Sequence, residues 1–133
     1  IIVYKAFKEL GDDLARFVNP STVVLVQETN EADENYSLLR DNLDRLSGEK
    51  LEVVPLPMPW PVVFRGQRLP ASYANFYIAN GVVIVPTFND PADRVALGTL
   101  AELFPDREVV GIHCVDLVWG LGTLHCMTQQ EPQ

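Results

Sequence analysis

The chain contains an internal repeat, and this feature limits its fold more than any other. The apolar run at residues 23–26 recurs 59 residues later, at residues 82–85. Residues 52–56 recur at residues 108–112, with an offset of 56. Between these runs a helical pattern recurs with an offset of 57. The first copy contains Leu38, Leu39, Leu43 and Leu46, and the second contains Val95, Ala96, Leu100 and Leu103 at the corresponding positions. Because the offset drifts so little, we predict two copies of one supersecondary unit, joined by loops of slightly different length.

Each copy is predicted to fold as a hairpin, a helix and a strand. In the second copy, Asn80-Gly81 lies between two apolar runs and is a strong two-residue turn signal. Asp90 resembles a helix N-cap, with Pro91 at the first helical position. The helix should end at Pro105, and a strand should follow over residues 107–115.

The first copy has a turn at residues 19–21 and a predicted helix over residues 33–47, with Gly48 as its C-cap. In both helices one apolar face is expected to point into the core. These residues are Leu38, Leu43 and Leu46 in the first helix and Val95, Leu100 and Leu103 in the second.

A proline-rich stretch separates the two copies and is predicted to be an extended connector, since its prolines exclude a helix. Residues 64–68 are expected to form a short loop or a hairpin tip. Trp60 is expected to cover the junction between the two units.

Length and charge narrow the class of protein. The 133 residues are the size of one domain, and no apolar run reaches the roughly 18 residues of a membrane span. A net charge of −8 disfavours nucleic acid and anionic membranes as partners. Cys114 and Cys126 do not form a disulfide framework or a zinc pattern, and no secretion signal is evident. We therefore expect a cytoplasmic protein.

A glycine-containing turn leads into a cysteine near the C-terminus. Gly120 and Gly122 precede Cys126, and polar residues follow it. Glycines allow the backbone to approach a neighbouring group closely and to adopt φ values that other residues resist, which suits a site. Free cysteines are also among the most often buried residues, so spacing alone favours Cys126 as a small core residue.

Three segments of the chain carry recognisable motifs, at residues 17–24, 70–81 and 119–130. They resemble the family of agmatine deiminases and bacterial peptidyl-arginine deiminases, and they occur in the family's order. The resemblance implies a pentein-like α/β fold, a five-module propeller of ββαβ units, of which this chain would hold about two. We divide the chain accordingly into four parts: a module over residues 14–59, a connector over 55–70, a module over 72–116 and a nucleophile segment over 117–133.

By that resemblance, Cys126 is the nucleophile that attacks the guanidinium carbon of agmatine or of free or peptidyl arginine. Such chemistry needs a thiolate, an acid/base group and carboxylates that hold the cation. The expected substrate shell comprises Gly120, Gly122, Asp12 and Asn75. The resemblance implies no metal and no organic cofactor, and the expected partner is a cationic small molecule or an arginine-containing substrate.

The acid/base histidine that the family carries ahead of the first hairpin is missing from this sequence. Counting back from the hairpin, its position falls on Leu10, and the preceding glycine falls on Glu9. His113 is a weak substitute, and His125 would point away from Cys126 if the segment were extended. Two interpretations stay open: part of an active deiminase, or a catalytically inactive derivative that serves as a small-molecule binding or assembly module.

Two modules of a closed ring would also leave sheet edges and apolar faces uncovered. We therefore expect a homo-oligomer, or a chain that is completed by the remainder of a longer polypeptide.

Overall fold

The computed structural model describes residues 14–131. Within that range, the secondary structure follows the order that the repeat predicts. Its strands are β1 (Ala15–Asn19), β2 (Thr22–Gln27), β3 (Glu52–Pro57), β4 (Val63–Phe64), β5 (Gln67–Arg68), β6 (Tyr77–Ile78), β7 (Val82–Thr87) and β8 (Glu108–His113). Its α-helices are α1 (Tyr36–Ser47) and α2 (Ala92–Leu103), and a 3-10 helix spans Leu117–Gly120.

The two modules share one topology. In each, a hairpin pairs two antiparallel strands, and a helix then leads to a third strand parallel to the second, giving the sheet orders β1-β2-β3 and β6-β7-β8. Val23 lies opposite Val53, and Val83 lies opposite Val109. The structural equivalent of Val23 is therefore Val83, one residue later than the sequence repeat indicates. The difference matters because a shift of one residue exchanges the two faces of a strand.

The first helix begins later than predicted, at Tyr36 rather than near Asp33. In the turn ahead of it, the Asp33 carboxylate accepts hydrogen bonds from Arg68 at 2.8 and 2.9 Å. These bonds hold the pKa of Asp33 below its ordinary value. The start of the second helix is confirmed: Pro91 already has helical dihedrals, with φ −54° and ψ −30°, and Asp90 accepts a hydrogen bond from the Ala92 amide at 2.8 Å.

The predicted core faces of the helices are wrong at one position in each. Leu38 and Val95 are 50% and 57% exposed, whereas their neighbours Leu39 and Ala96 are buried. Successive helical residues are about 100° apart, so of two adjacent apolar residues only one can point directly at the sheet. Gly48 follows α1 at the predicted C-cap position, but with a right-handed φ of −80°.

The two modules are joined by a shared core. Helix α2 packs against β8 of its own module and also against β3 of the first module. Leu56 on β3 is buried in one cluster with Ala96 and Leu100 of α2. A smaller cluster lies between α1 and its own sheet, formed by Ala15, Val23, Leu25 and Leu46. The second module therefore completes the core of the first.

The connector differs from its prediction in detail. Its first prolines lie within β3, which is tolerated because β3 is an edge strand. The hairpin β4–β5 turns at Arg65 and Gly66, whose φ values are 51° and 78°, and this confirms the predicted tip. Trp60 does not cover the module junction, because 74% of its surface is exposed.

The predicted turn at Asn80-Gly81 is present between β6 and β7. The Ala79 amide donates to the Val82 carbonyl at 2.8 Å across this turn. Neither turn residue adopts the positive φ on which the prediction rested. Within residues 14–131, neither α-helix has the length and hydrophobicity that a membrane crossing requires.

Candidate active site

The segment ahead of Cys126 is anchored by an aromatic pair. Trp119, in the 3-10 helix, stacks on Phe64 of the β4–β5 hairpin with ring centroids 4.0 Å apart. Leu121 then takes a left-handed φ of 66° and reverses the chain. The sequence predicts that a glycine would supply this conformation, but a leucine does so. Its amide donates to the Val118 carbonyl at 2.9 Å, which holds the turn closed.

Gly122 is required by the packing of residues 120–128, here called the Cys126 loop. A Cβ at this position would lie 2.8 Å from Cys126 Cβ and 3.0 Å from Cys126 Sγ, closer than side-chain contacts allow. A Cβ at Gly120 would meet nothing within 4 Å. Of the two glycines singled out in the sequence, Gly122 is thus the one whose missing side chain makes room for the cysteine.

Cys126 lies in a compact turn and is exposed. The Met127 amide donates to the Thr123 carbonyl at 3.2 Å, and the Thr128 hydroxyl donates to the Leu124 carbonyl at 2.9 Å. These bonds present the thiol at the surface of the turn. The interpretation of Cys126 as a small core residue is therefore wrong, and it applies instead to Cys114, whose thiol has its pKa raised mainly by burial.

Asn75 holds the Cys126 loop through both ends of its side-chain amide. Its Oδ1 accepts hydrogen bonds from the backbone amides of His125 at 2.8 Å and Cys126 at 3.3 Å, and its Nδ2 lies 3.0 Å from Cys126 Sγ. Two backbone N–H donors can face only the oxygen of the amide, so they fix which end is which. The NH₂ group therefore donates to the sulfur and orients it. Asn75 is 1% exposed.

The segment that carries Asn75 is itself held by hydrogen bonds. The Tyr73 hydroxyl donates to Asp93 Oδ1 at 2.7 Å, and the same oxygen accepts from the Phe88 amide at 2.9 Å. Burial and the neighbouring Asp93 raise the pKa of Tyr73 well above its ordinary value, so this phenol stays protonated and continues to donate. The backbone amide of Asn75 donates to the Ser72 carbonyl at 3.3 Å. Asn75 is thus presented from a rigid, buried segment.

The remaining sequence candidates do not all converge on the thiol. His113 is exposed at the end of β8. His125 lies in a turn rather than in the extended segment assumed above, and its amide also donates to the Asn75 carbonyl at 3.2 Å. The positions of Asp12 and of Leu10 and Glu9 lie outside the described residues.

A cavity of about 330 Å³ is lined by Ser72 and Leu121, together with Arg68 and the first turn of α1. Within the described part of the chain, Cys126 is not among its lining residues, so this cavity is not a pocket of the thiol. Residues 14–131 contain no cluster of three or more His, Cys, Asp or Glu placed to hold a metal ion.

The comparisons with known proteins agree on one family. Residues 11–132 match the Porphyromonas-type peptidyl-arginine deiminases. The structure is similar to a Porphyromonas gingivalis protein provisionally designated an arginine deiminase, with 47% identity, a TM-score of 0.88 and coverage of 92% of this chain and 38% of that one. It is also similar to an agmatine deiminase of Enterococcus faecalis, with 32% identity, a TM-score of 0.84 and coverage of 92% and 40%.

Among curated sequences, a Latilactobacillus sakei protein provisionally named an agmatine deiminase is 37% identical over 145 residues, which cover 91% of this chain and 40% of the relative. The chain therefore spans about 40% of the length of the curated relatives that it matches. The solved structures confirm the expected pentein-like α/β fold for that share of the relatives. With the family match extending over nearly all of its residues, the chain belongs to the Porphyromonas-type peptidyl-arginine deiminase family.

Proposed function

We propose that this chain is the nucleophile-bearing part of a deiminase that hydrolyses the guanidinium group of agmatine or of free or peptidyl arginine. The observation that carries the proposal is the exposed Cys126 thiol, which accepts a hydrogen bond from the buried Asn75 amide in a chain of this family. A cysteine sulfur that a fixed donor holds in place can, as its thiolate, be the soft nucleophile that attack on a guanidinium carbon requires.

The proposed reaction has two halves. The Cys126 thiolate forms a bond to the guanidinium carbon, the leaving nitrogen gains a proton, and its C–N bond breaks to release ammonia. This leaves an amidino-thioether on Cys126. Water then adds to the same carbon and loses a proton, and the C–S bond breaks to give the ureido product and restore the thiolate. One water is consumed for each ammonia released, and no cofactor is needed.

Charge supports a cationic substrate. The chain carries a net charge of −8, which raises the local concentration of cations. Carboxylates that hold a guanidinium act through paired charge-assisted hydrogen bonds, and Asp12 remains our candidate for that role.

In the second candidate function, the chain is a catalytically inactive derivative that serves as a small-molecule binding or assembly module. It is favoured by one observation, the leucine at position 10 where the family's acid/base histidine is expected. A chain of this kind would keep the oriented thiol but would lack the group that moves protons to ammonia and from water.

Mass spectrometry after incubation with a haloacetamidine tests the guanidine site directly. The thiolate would displace the halide and form a stable S–C bond, so we expect one adduct on Cys126. Cys114→Ala should retain it and Cys126→Ala should lose it. Incubation with agmatine then separates the two functions, because only the active deiminase releases ammonia. A folded chain that forms no adduct on Cys126 would contradict the proposed guanidine site.

We also propose that the functional protein covers an apolar surface which this chain leaves open, either with the remainder of a longer polypeptide or with a second copy. Large side chains near the candidate site are half or more exposed, namely Val63, Trp119, Leu121 and Met127. Exposed apolar surface of this kind drives association. Light scattering on the purified chain is expected to show a species larger than 14.9 kDa. A stable, folded monomer would contradict this expectation.

A further inference from the structure

Arg16 belongs to the first module but contacts the segment of the second module that carries Asn75. It lies on β1, opposite Val24. Its Nη1 donates to the Phe76 carbonyl at 2.9 Å and to the Ala74 carbonyl at 3.3 Å. Its guanidinium carbon also lies 4.8 Å from the centroid of the Phe76 ring. Arg16 therefore holds the residues immediately before and after Asn75.

Fixing these two carbonyls limits the orientation of the peptide planes on either side of Asn75. The direction of the Asn75 side chain follows from those planes, and with it the 3.0 Å contact between Nδ2 and Cys126 Sγ. We propose that Arg16 is a positioning residue for the nucleophile, which acts on Cys126 through Asn75. The proposal deepens the proposed deiminase function and rests on it for its purpose, because it concerns how the same thiol is kept reactive.

The chemistry of the contact explains why the residue is an arginine. The guanidinium is planar, so it can donate within its plane while its face lies over an aromatic ring. A lysine ammonium retains the charge, but it is not planar. It therefore cannot stack on the ring and keep the same directions for its hydrogen bonds to the two carbonyls. Arg16→Lys is therefore a variant that keeps the charge and changes mainly the geometry.

A second restraint on the same segment limits the size of the expected effect. Tyr73 ties the segment to Asp93 within the second module, so losing Arg16 should loosen Asn75 without releasing it. We expect Arg16→Lys to slow alkylation of Cys126 by iodoacetamide about threefold to tenfold, a range that one or two hydrogen bonds can account for. Arg107→Lys is a matched control, since Arg107 also donates to a carbonyl, that of Ala79, and lies over a ring, that of Phe104.

A double-mutant cycle tests whether Arg16 acts through Asn75. The alkylation rate of Cys126 is measured by peptide mass spectrometry in the original chain, in Arg16→Lys, in Asn75→Ala and in the double variant. If the proposal holds, Arg16→Lys has little further effect once Asn75 is alanine. The proposal would be overturned if the rate losses of the two single variants multiply in the double variant. It would also be overturned if either single variant is labelled as fast as the original chain. If the lysine variant fails to fold, Arg16→Gln serves in the same cycle and is judged by the same outcomes.

The cycle is independent of guanidine recognition, because iodoacetamide reacts with any accessible thiolate. Coupling between Arg16 and Asn75 without a haloacetamidine adduct would mean that the positioning network exists and the proposed function is wrong. A haloacetamidine adduct without coupling would mean that the guanidine site exists and that Arg16 does not act through Asn75.

Discussion

Gly122→Ala is expected to slow the reaction of Cys126 with a haloacetamidine by about 100-fold, the loss that a displacement of about 1 Å can cause at a reacting atom. The added methyl group would lie 2.8 Å from Cys126 Cβ and 3.0 Å from Sγ. Backbone and cysteine must therefore move apart, which shifts the sulfur from the Asn75 donor. Adduct formation followed by mass spectrometry measures the rate.

Gly120→Ala is the matched control, since its new methyl group would meet nothing within 4 Å. This variant should react at close to the original rate. Equal losses in the two variants would mean that loop flexibility, rather than room for the cysteine, is what the glycines provide.

Asn75→Asp is expected to suppress the reactivity of Cys126 at neutral pH and to move its alkylation profile toward higher pH. The substitution keeps the shape of the side chain, but a carboxylate oxygen replaces the NH₂ group that faces the sulfur. A neighbouring negative charge disfavours the thiolate. The rate of iodoacetamide labelling as a function of pH measures the change.

Two further variants separate this charge effect from a loss of structure. Asn75→Ala removes the donor without adding charge, so it should slow labelling with a smaller change in the pH profile. Asn42→Ala removes another buried asparagine, on α1, and should leave Cys126 labelling unchanged. If the pH profile of labelling does not move in Asn75→Asp, the side chain at position 75 does not influence the pH dependence of Cys126 reactivity.

The secondary structure could be predicted from the sequence because its signals are local. A repeated apolar pattern, turn residues and prolines indicate a hairpin, a helix and a strand in each module, and the strands and helices lie in that order. The errors at Leu38 and Val95 arise because adjacent apolar residues do not reveal which one faces the sheet. The ion pair of Asp33, ahead of α1, could not be predicted because its partner Arg68 is 35 residues away in the chain.

The candidate site could be predicted only in part, for a similar reason. The spacing of Gly122 and Cys126 alone favours a small core cysteine, and only the family resemblance of residues 119–130 singles out Cys126 as a site residue. The role of Asn75 depends on a contact across 51 residues, and no local pattern encodes it. Arg16 is harder still to find, because an arginine on a strand resembles an ordinary solvated residue until its carbonyl partners are known.

The way in which α2 lies across two sheets bears on how such a protein can gain or lose parts. Leu56 on β3 is completely buried with α2 residues, whereas Ile112, its structural equivalent on β8, is 41% exposed. A helix from a further unit, arriving as α2 arrives on β3, would cover Ile112 in the same manner. Adding or removing a whole module is therefore the least costly way to change the length of this architecture. A break inside a module would remove the contacts of its helix with two sheets at once.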